Sequence, residues 1–103
     1  MTFVARWSFD VPFGKKPDAF RVLDEWESYS REMGWPAGRQ LLASIGAPES
    51  RVEIEYTFEH LAKLEEVWAR LSGDRFKSWQ EQLSPFVVAG SPRWEIYRLR
   101  KRD

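Results

Sequence analysis

Between Arg51 and Leu71 the sequence RVEIEYTFEHLAKLEEVWARL changes its apolar repeat from that of a strand to that of a helix within a residue or two. Val52, Ile54, Tyr56 and Phe58 alternate with Arg51, Glu53, Glu55 and Thr57, so this strand has one apolar face and one charged face. From His60 onward Leu61, Leu64, Trp68 and Leu71 fall on one helical stripe with Val67 at its flank, and Gly73 follows as a stop. A strand of this kind needs a cover on one side only. The other side is left to do something else.

The flanking segments repeat the theme. Phe3, Ala5, Trp7 and Phe9 alternate with Val4, Arg6, Ser8 and Asp10 in a first strand that Pro12 ends. Pro17 and Asp18 suit the first turn of a helix whose stripe is Ala19, Val22, Leu23, Trp26, Tyr29 and Met33, with Phe20 at its edge and Gly34 as terminator. A second strand is expected from Arg39 to Ile45, with Leu41, Ala43 and Ile45 opposing Gln40, Leu42 and Ser44, and the GAPES turn joins it to the strand at Arg51 as a hairpin. Asp74 is positioned to cap a short extra helix presenting Phe76, Trp79 and Leu83, which Ser84 and Pro85 close. The last strand covers Arg93 to Arg100; its phase is open between Trp94 with Ile96 and Tyr97 with Leu99, and Trp94 with Ile96 is the expected inward pair.

The order is strand, helix, strand, strand, helix, strand. This is the ferredoxin-like βαββαβ pattern, an α+β class in which both helices cover one face of a four-stranded antiparallel sheet. At 103 residues the chain forms one domain, residues 1–103. The helix-free face is expected to carry Val4, Arg6, Ser8 and Asp10; Gln40, Leu42 and Ser44; Arg51, Glu53, Glu55 and Thr57; and Glu95 and Tyr97.

Composition removes whole classes of function. Sixteen basic residues balance sixteen acidic ones, so no net field recruits nucleic acid or an anionic membrane. No apolar run has the length of a membrane span and the N-terminus lacks a signal-peptide core, which makes a cytoplasmic location the expectation. With no cysteine there is no disulfide, no thiolate metal site and no Cys nucleophile. RNA-recognition domains share this element order, but they expose aromatic residues on the third strand where this chain has Glu53 and Glu55, which repel phosphate. No GxGxxG or phosphate-loop motif is present.

Chemistry-bearing residues are few. Glu53 and Glu55 sit about 7 Å apart on one strand face, a spacing that two carboxylates could use for acid and base work, although alternating glutamates on a strand more often make a solvated or cross-strand-paired face. The first and third strands are neighbours in this fold, which lets Arg6 and Arg51 neutralise those acids. His60 is the single histidine and stands without an obvious co-ligand, so a capping or surface role is expected and no metal site. Five of the six tryptophans fall on apolar stripes and count as core; Trp35, in the GWPAG loop, covers the end of the first helix or lines a pocket mouth.

The element order, the length and the closing run WQEQLSPFVVAGSPRWEIYRLR resemble the dimeric α/β barrel superfamily, and within it the NIPSNAP-like and antibiotic-biosynthesis-monooxygenase-like small domains. The resemblance implies a homodimer in which two sheets face each other across a cavity. It selects no reaction, since function belongs to the site rather than the fold. The expectation is a small-molecule enzyme or binding protein acting at a polar cavity on the helix-free face, without a bound cofactor, with Arg6, Arg51, Glu53, Glu55 and Tyr97 as its lining. Arginine would hold an anionic or oxygen-rich ligand, Glu would serve as base and Tyr97 as hydrogen-bond donor. The alternative is a non-catalytic module for ligand sensing or structural dimerisation.

Overall fold

The computed structural model describes residues 1–101 and builds one four-stranded antiparallel sheet. Its elements are β1 (Phe3–Asp10), α1 (Lys16–Glu32), β2 (Arg39–Leu42), β3 (Arg51–Phe58), α2 (Leu61–Ala69), α3 (Gly73–Leu83) and β4 (Arg93–Arg98), with one 3-10 turn at Ser84–Phe86. The strand order is β2-β3-β1-β4, so β1 and β3 form the centre. This is the ferredoxin-like arrangement expected from the element order.

Register divides the sheet into two unlike faces. On the helix side Phe3 pairs with Phe58, Ala5 with Tyr56, Trp7 with Ile54 and Phe9 with Val52. Trp94 and Ile96 pair with Trp7 and Ala5, which settles the phase of β4 as expected. The intervening residues, Arg6 with Glu55, Ser8 with Glu53 and Asp10 with Arg51, lie on the opposite side. α1 buries Ala19, Val22, Leu23, Trp26 and Tyr29 against the apolar face. Phe9, Leu23, Leu64, Val52 and Val67 are among the fully buried side chains, each contributing about 1.5–3 kcal/mol through removal from water.

Trp35 belongs to this core. It is 3% exposed and packs edge-on against Trp26 at 5.4 Å and Tyr56 at 5.0 Å, so it neither lines a pocket mouth nor merely covers a helix end. The reason is the way α1 ends. Gly34 adopts φ +87°, its N–H bonds the Arg31 carbonyl, and the Trp35 N–H bonds the Ser30 carbonyl at 2.9 Å, a Schellman closure that turns the chain back over the sheet. Trp35 is thereby folded inward with the tryptophans of the stripes. Trp26 donates to the Tyr56 hydroxyl at 2.8 Å, and burial pushes the Tyr56 phenol up to about 12.

Three expectations need correction. β2 stops at Leu42, and its phase is opposite to the expected one: Arg39 and Leu41 pair with Glu55 and Glu53 on the helix-free side, while Gln40 and Leu42 pair with Ile54 and Val52. Gly38 sets that phase. A Cβ there would stand 2.7 Å from Tyr56 Cε1 and 2.9 Å from Ile54 Cγ2, so this position is pressed onto the apolar face and residues 40 and 42 follow it in the two-residue repeat. As an edge strand β2 lies beyond the cover of α1, and Leu42 stays 53% exposed. In the second helix Leu64 and Val67 are the buried pair, while Leu61, at the first turn, is exposed. Ser72 rather than Asp74 occupies the cap position of α3, with Asp74 in the first turn and no side-chain capping bond.

Among the described residues no helix is long and apolar enough to cross a membrane.

Candidate functional site

The helix-free face is organised around one buried carboxylate. Glu55, on the central strand β3, is 8% exposed although no helix covers this side. Its cover consists of arginines. Arg6 Nε donates to Oε2 at 2.9 Å from β1, and Arg39 Nη2 donates to Oε1 at 2.5 Å from β2. The antiparallel register forces this meeting, since Arg6 and Arg39 stand directly opposite Glu55 from either side.

The electrostatics follow from the geometry. The hydrogen bond from Arg39 and then that from Arg6 hold the Glu55 carboxyl below the usual carboxylate range, against the opposing effect of burial. Each guanidinium has five N–H donors and gives one to Glu55, so the trio keeps a net positive charge and spare donors pointing toward solvent. Glu55 itself is a poor base near neutral pH.

A second group adjoins the first. Arg6 Cζ lies 5.4 Å from the centre of the Tyr97 ring, a cation–π contact between β1 and β4. The Tyr97 hydroxyl donates to Glu95 Oε2 at 3.0 Å, and Arg93 Nη2 donates to Glu95 Oε1 at 3.1 Å. That hydroxyl and the neighbouring Arg93 keep Glu95 below its ordinary range, and the carboxylate in turn raises the Tyr97 phenol, which stays protonated at neutral pH as a hydrogen-bond donor.

Of the residues expected to line a site, Arg6, Glu55 and Tyr97 come together. Arg51 and Glu53 share the face and stand apart from that cluster. Arg51 neutralises Asp10 at 3.8 Å and neither glutamate, and its Nε is buried with no hydrogen-bond partner among the described residues. Glu53 forms no ion pair among the described residues. Sequence reasoning missed Arg39, which the reversed phase of β2 brings onto this face. Its signal was the Gly at position 38, two residues before Gln40, which fixes the inward phase once β3 is known to be bulky there. His60 is exposed at the start of α2 and makes no side-chain capping bond. Among the described residues no group of three His, Cys, Asp or Glu could hold a metal ion.

Compared by sequence, the chain matches no protein-family model and no curated protein. Compared by structure it is similar to an uncharacterised NIPSNAP-like domain protein from Burkholderia xenovorans, with a TM-score of 0.81 and 12% identity over 99% of this chain and 88% of that one. A NIPSNAP family protein from Agrobacterium tumefaciens gives a TM-score of 0.76 and 20% identity over 95% and 92% of the two chains. An antibiotic biosynthesis monooxygenase-like protein from Bordetella bronchiseptica gives 0.73 and 14% over 97% and 98%. Every one of these identities lies below 25%, and the likeness shows the ferredoxin-like fold for this chain.

Proposed function

We propose that the helix-free face binds an anionic or oxygen-rich small molecule within a cavity enclosed by a second copy of the chain. One observation carries this reading: Glu55 is buried between Arg6 and Arg39 on the side of the sheet that no helix covers. Carboxylates are rarely so buried at a bare surface, and this one fixes two guanidinium groups in place while leaving most of their donors free. Tyr97, whose hydroxyl proton is committed to Glu95, supplies an aromatic face beside Arg6 for a ligand ring and a hydroxyl oxygen that can accept a hydrogen bond.

The roles differ from a simple acid–base scheme. Glu55 serves to position Arg6 and Arg39, because two guanidinium groups stabilise its charge and weaken it as a base. Glu53 forms no ion pair among the described residues, so no guanidinium ties it down within the chain. Arg51 stands at the far end of the face as a second cationic anchor. The depressed basicity of Glu55 supports ligand binding or sensing at least as well as chemistry, and the likeness to an antibiotic biosynthesis monooxygenase-like protein supports an enzymatic version acting on an oxygen-bearing organic substrate.

The test is calorimetric titration with salicylate, whose carboxylate fits a guanidinium fork and whose ring fits the Tyr97 face. Wild-type protein is expected to bind, and Arg6→Ala to bind about tenfold or more weakly, as expected for a lost charge-assisted contact. Equal binding by Arg6→Ala and wild type, or none by wild type, would remove the reading.

A further inference from the structure

The charges of this chain balance in sum and not in place. Arg6, Arg21, Arg39, Arg51, Arg70, Arg75 and Arg93 each face a carboxylate of the same chain. The run Arg98, Leu99, Arg100, Lys101 and Arg102, which precedes Asp103, is the most basic stretch of the sequence. Among the described residues Arg98, Arg100 and Lys101 form no ion pair.

Backbone contacts hold this run at one end of the sheet. Arg98 closes β4 opposite Phe3, and the Leu99 N–H donates to the Thr2 carbonyl at 2.8 Å. Met1, Thr2, Arg98, Leu99, Arg100 and Lys101 line an open cleft of about 730 Å³. Met1 is 75% exposed and Leu99 58%, so two aliphatic side chains lie in solvent beside three cations. At about 0.1 M salt, exposed charges more than about 10 Å apart are largely screened, so the zero net charge of the whole chain does not cancel this local field.

We propose that Arg98, Arg100 and Lys101, together with Leu99 and Met1, form a docking surface for an anionic phospholipid membrane. The proposal is independent of the ligand reading above, which concerns the helix-free face. Adjacent cations without internal partners match a surface of many phosphates, and attraction to an anionic leaflet grows with each basic residue near it. The aliphatic neighbours decide between lipid and polynucleotide. Sites for single strands join cations to aromatic rings on which bases stack, and the lining of this cleft carries no aromatic ring among the described residues. Leucine and methionine instead bury themselves at the boundary between headgroups and acyl chains, which holds the cations at the level of the phosphates.

Co-sedimentation of the full chain with vesicles tests it. Phosphatidylcholine vesicles containing about 40 mol% phosphatidylglycerol are expected to bind the wild type about tenfold or more tightly than phosphatidylcholine alone at about 0.1 M NaCl. The combined variant Arg98→Gln, Arg100→Gln, Lys101→Gln is expected to lose about tenfold or more of that binding, since each basic residue near the surface contributes about fivefold. Leu99→Ser, which keeps every cation, is expected to weaken it about threefold. Equal binding to both vesicles, no binding by the wild type, or wild-type binding by either variant would overturn the proposal. Capture of a single-stranded oligonucleotide by a wild type that leaves the anionic vesicles unbound would also overturn it, and assign the patch to a polynucleotide. Should the combined variant fail to fold, the wild type supplies the readout: about 1 M NaCl shortens the Debye length to about 3 Å and is expected to release the vesicles. Undiminished binding at that salt would overturn the proposal.

Discussion

The two faces of the sheet are built from alternate residues of the same strands and are held by different forces. The helix side is an aromatic core in which Trp7, Trp26, Trp35, Trp79 and Trp94 are linked ring to ring, with centroids 4.7 to 6.1 Å apart. The opposite side is a row of alternating charges with one buried carboxylate at its centre. Stability lives on the first face because burial of apolar area scales with contact, whereas ion pairs near solvent contribute little. The proposed recognition belongs to the second, because directed donors and fixed charges discriminate between ligands in a way that packing does not.

Substitutions should separate the faces cleanly. The largest loss is expected at Trp26, whose ring meets Trp35, Trp79, Tyr29 and Phe76 and whose Nε1 bonds Tyr56. Trp26→Ala should lower unfolding stability in urea by about 3–5 kcal/mol. A loss under about 1 kcal/mol would mean that the aromatic face is not where stability resides. Gly38→Ala follows at about 1–3 kcal/mol, since its Cβ would crowd Tyr56 and Ile54 and neither ring nor sheet can retreat freely. On the charged face Arg6→Ala should cost about 1 kcal/mol after screening is allowed for, because Arg6 is 41% exposed and Glu55 keeps Arg39. Glu53→Gln should change stability by no more than about 0.5 kcal/mol.

Titration sharpens the contrast. Glu55 has a folded pKa below its unfolded value, so its contribution is fully present above the unfolded value of about 4.3 and is lost as pH falls through the folded one. Melting temperatures of wild type and Glu55→Gln should therefore differ by a constant amount from neutral pH down to about pH 5 and converge in more acidic buffer. A gap that widens on acidification would contradict the ion-pair account of this residue. Trp26→Ala should show no such convergence, because its deficit comes from lost packing.

How much of this was legible before any coordinates follows the same division. The apolar repeats of β1, β3 and α1 are strong because each must bury one whole face, and they specify both element type and inward phase. β2 failed for the converse reason. Its residues on both faces are largely exposed, so the alternation of Leu41, Ala43 and Ile45 carried no burial constraint, and a close approach of backbone to ring at Gly38 decided the phase. That one-residue error hid Arg39, the second partner of Glu55, while Arg6, Glu55 and Tyr97 were placed correctly because their strands were. Trp35 was misplaced because it follows no periodic segment, and only the backbone closure after α1 turns it inward.

The account stands on the charged face being an enclosed one, and the mass of the pure protein in solution by light scattering tests that most directly. Twice the mass of one chain, maintained on dilution through the micromolar range, is the predicted result. A single-chain mass at every concentration would leave Arg6, Arg39 and Tyr97 open to solvent and contradict the enclosed site.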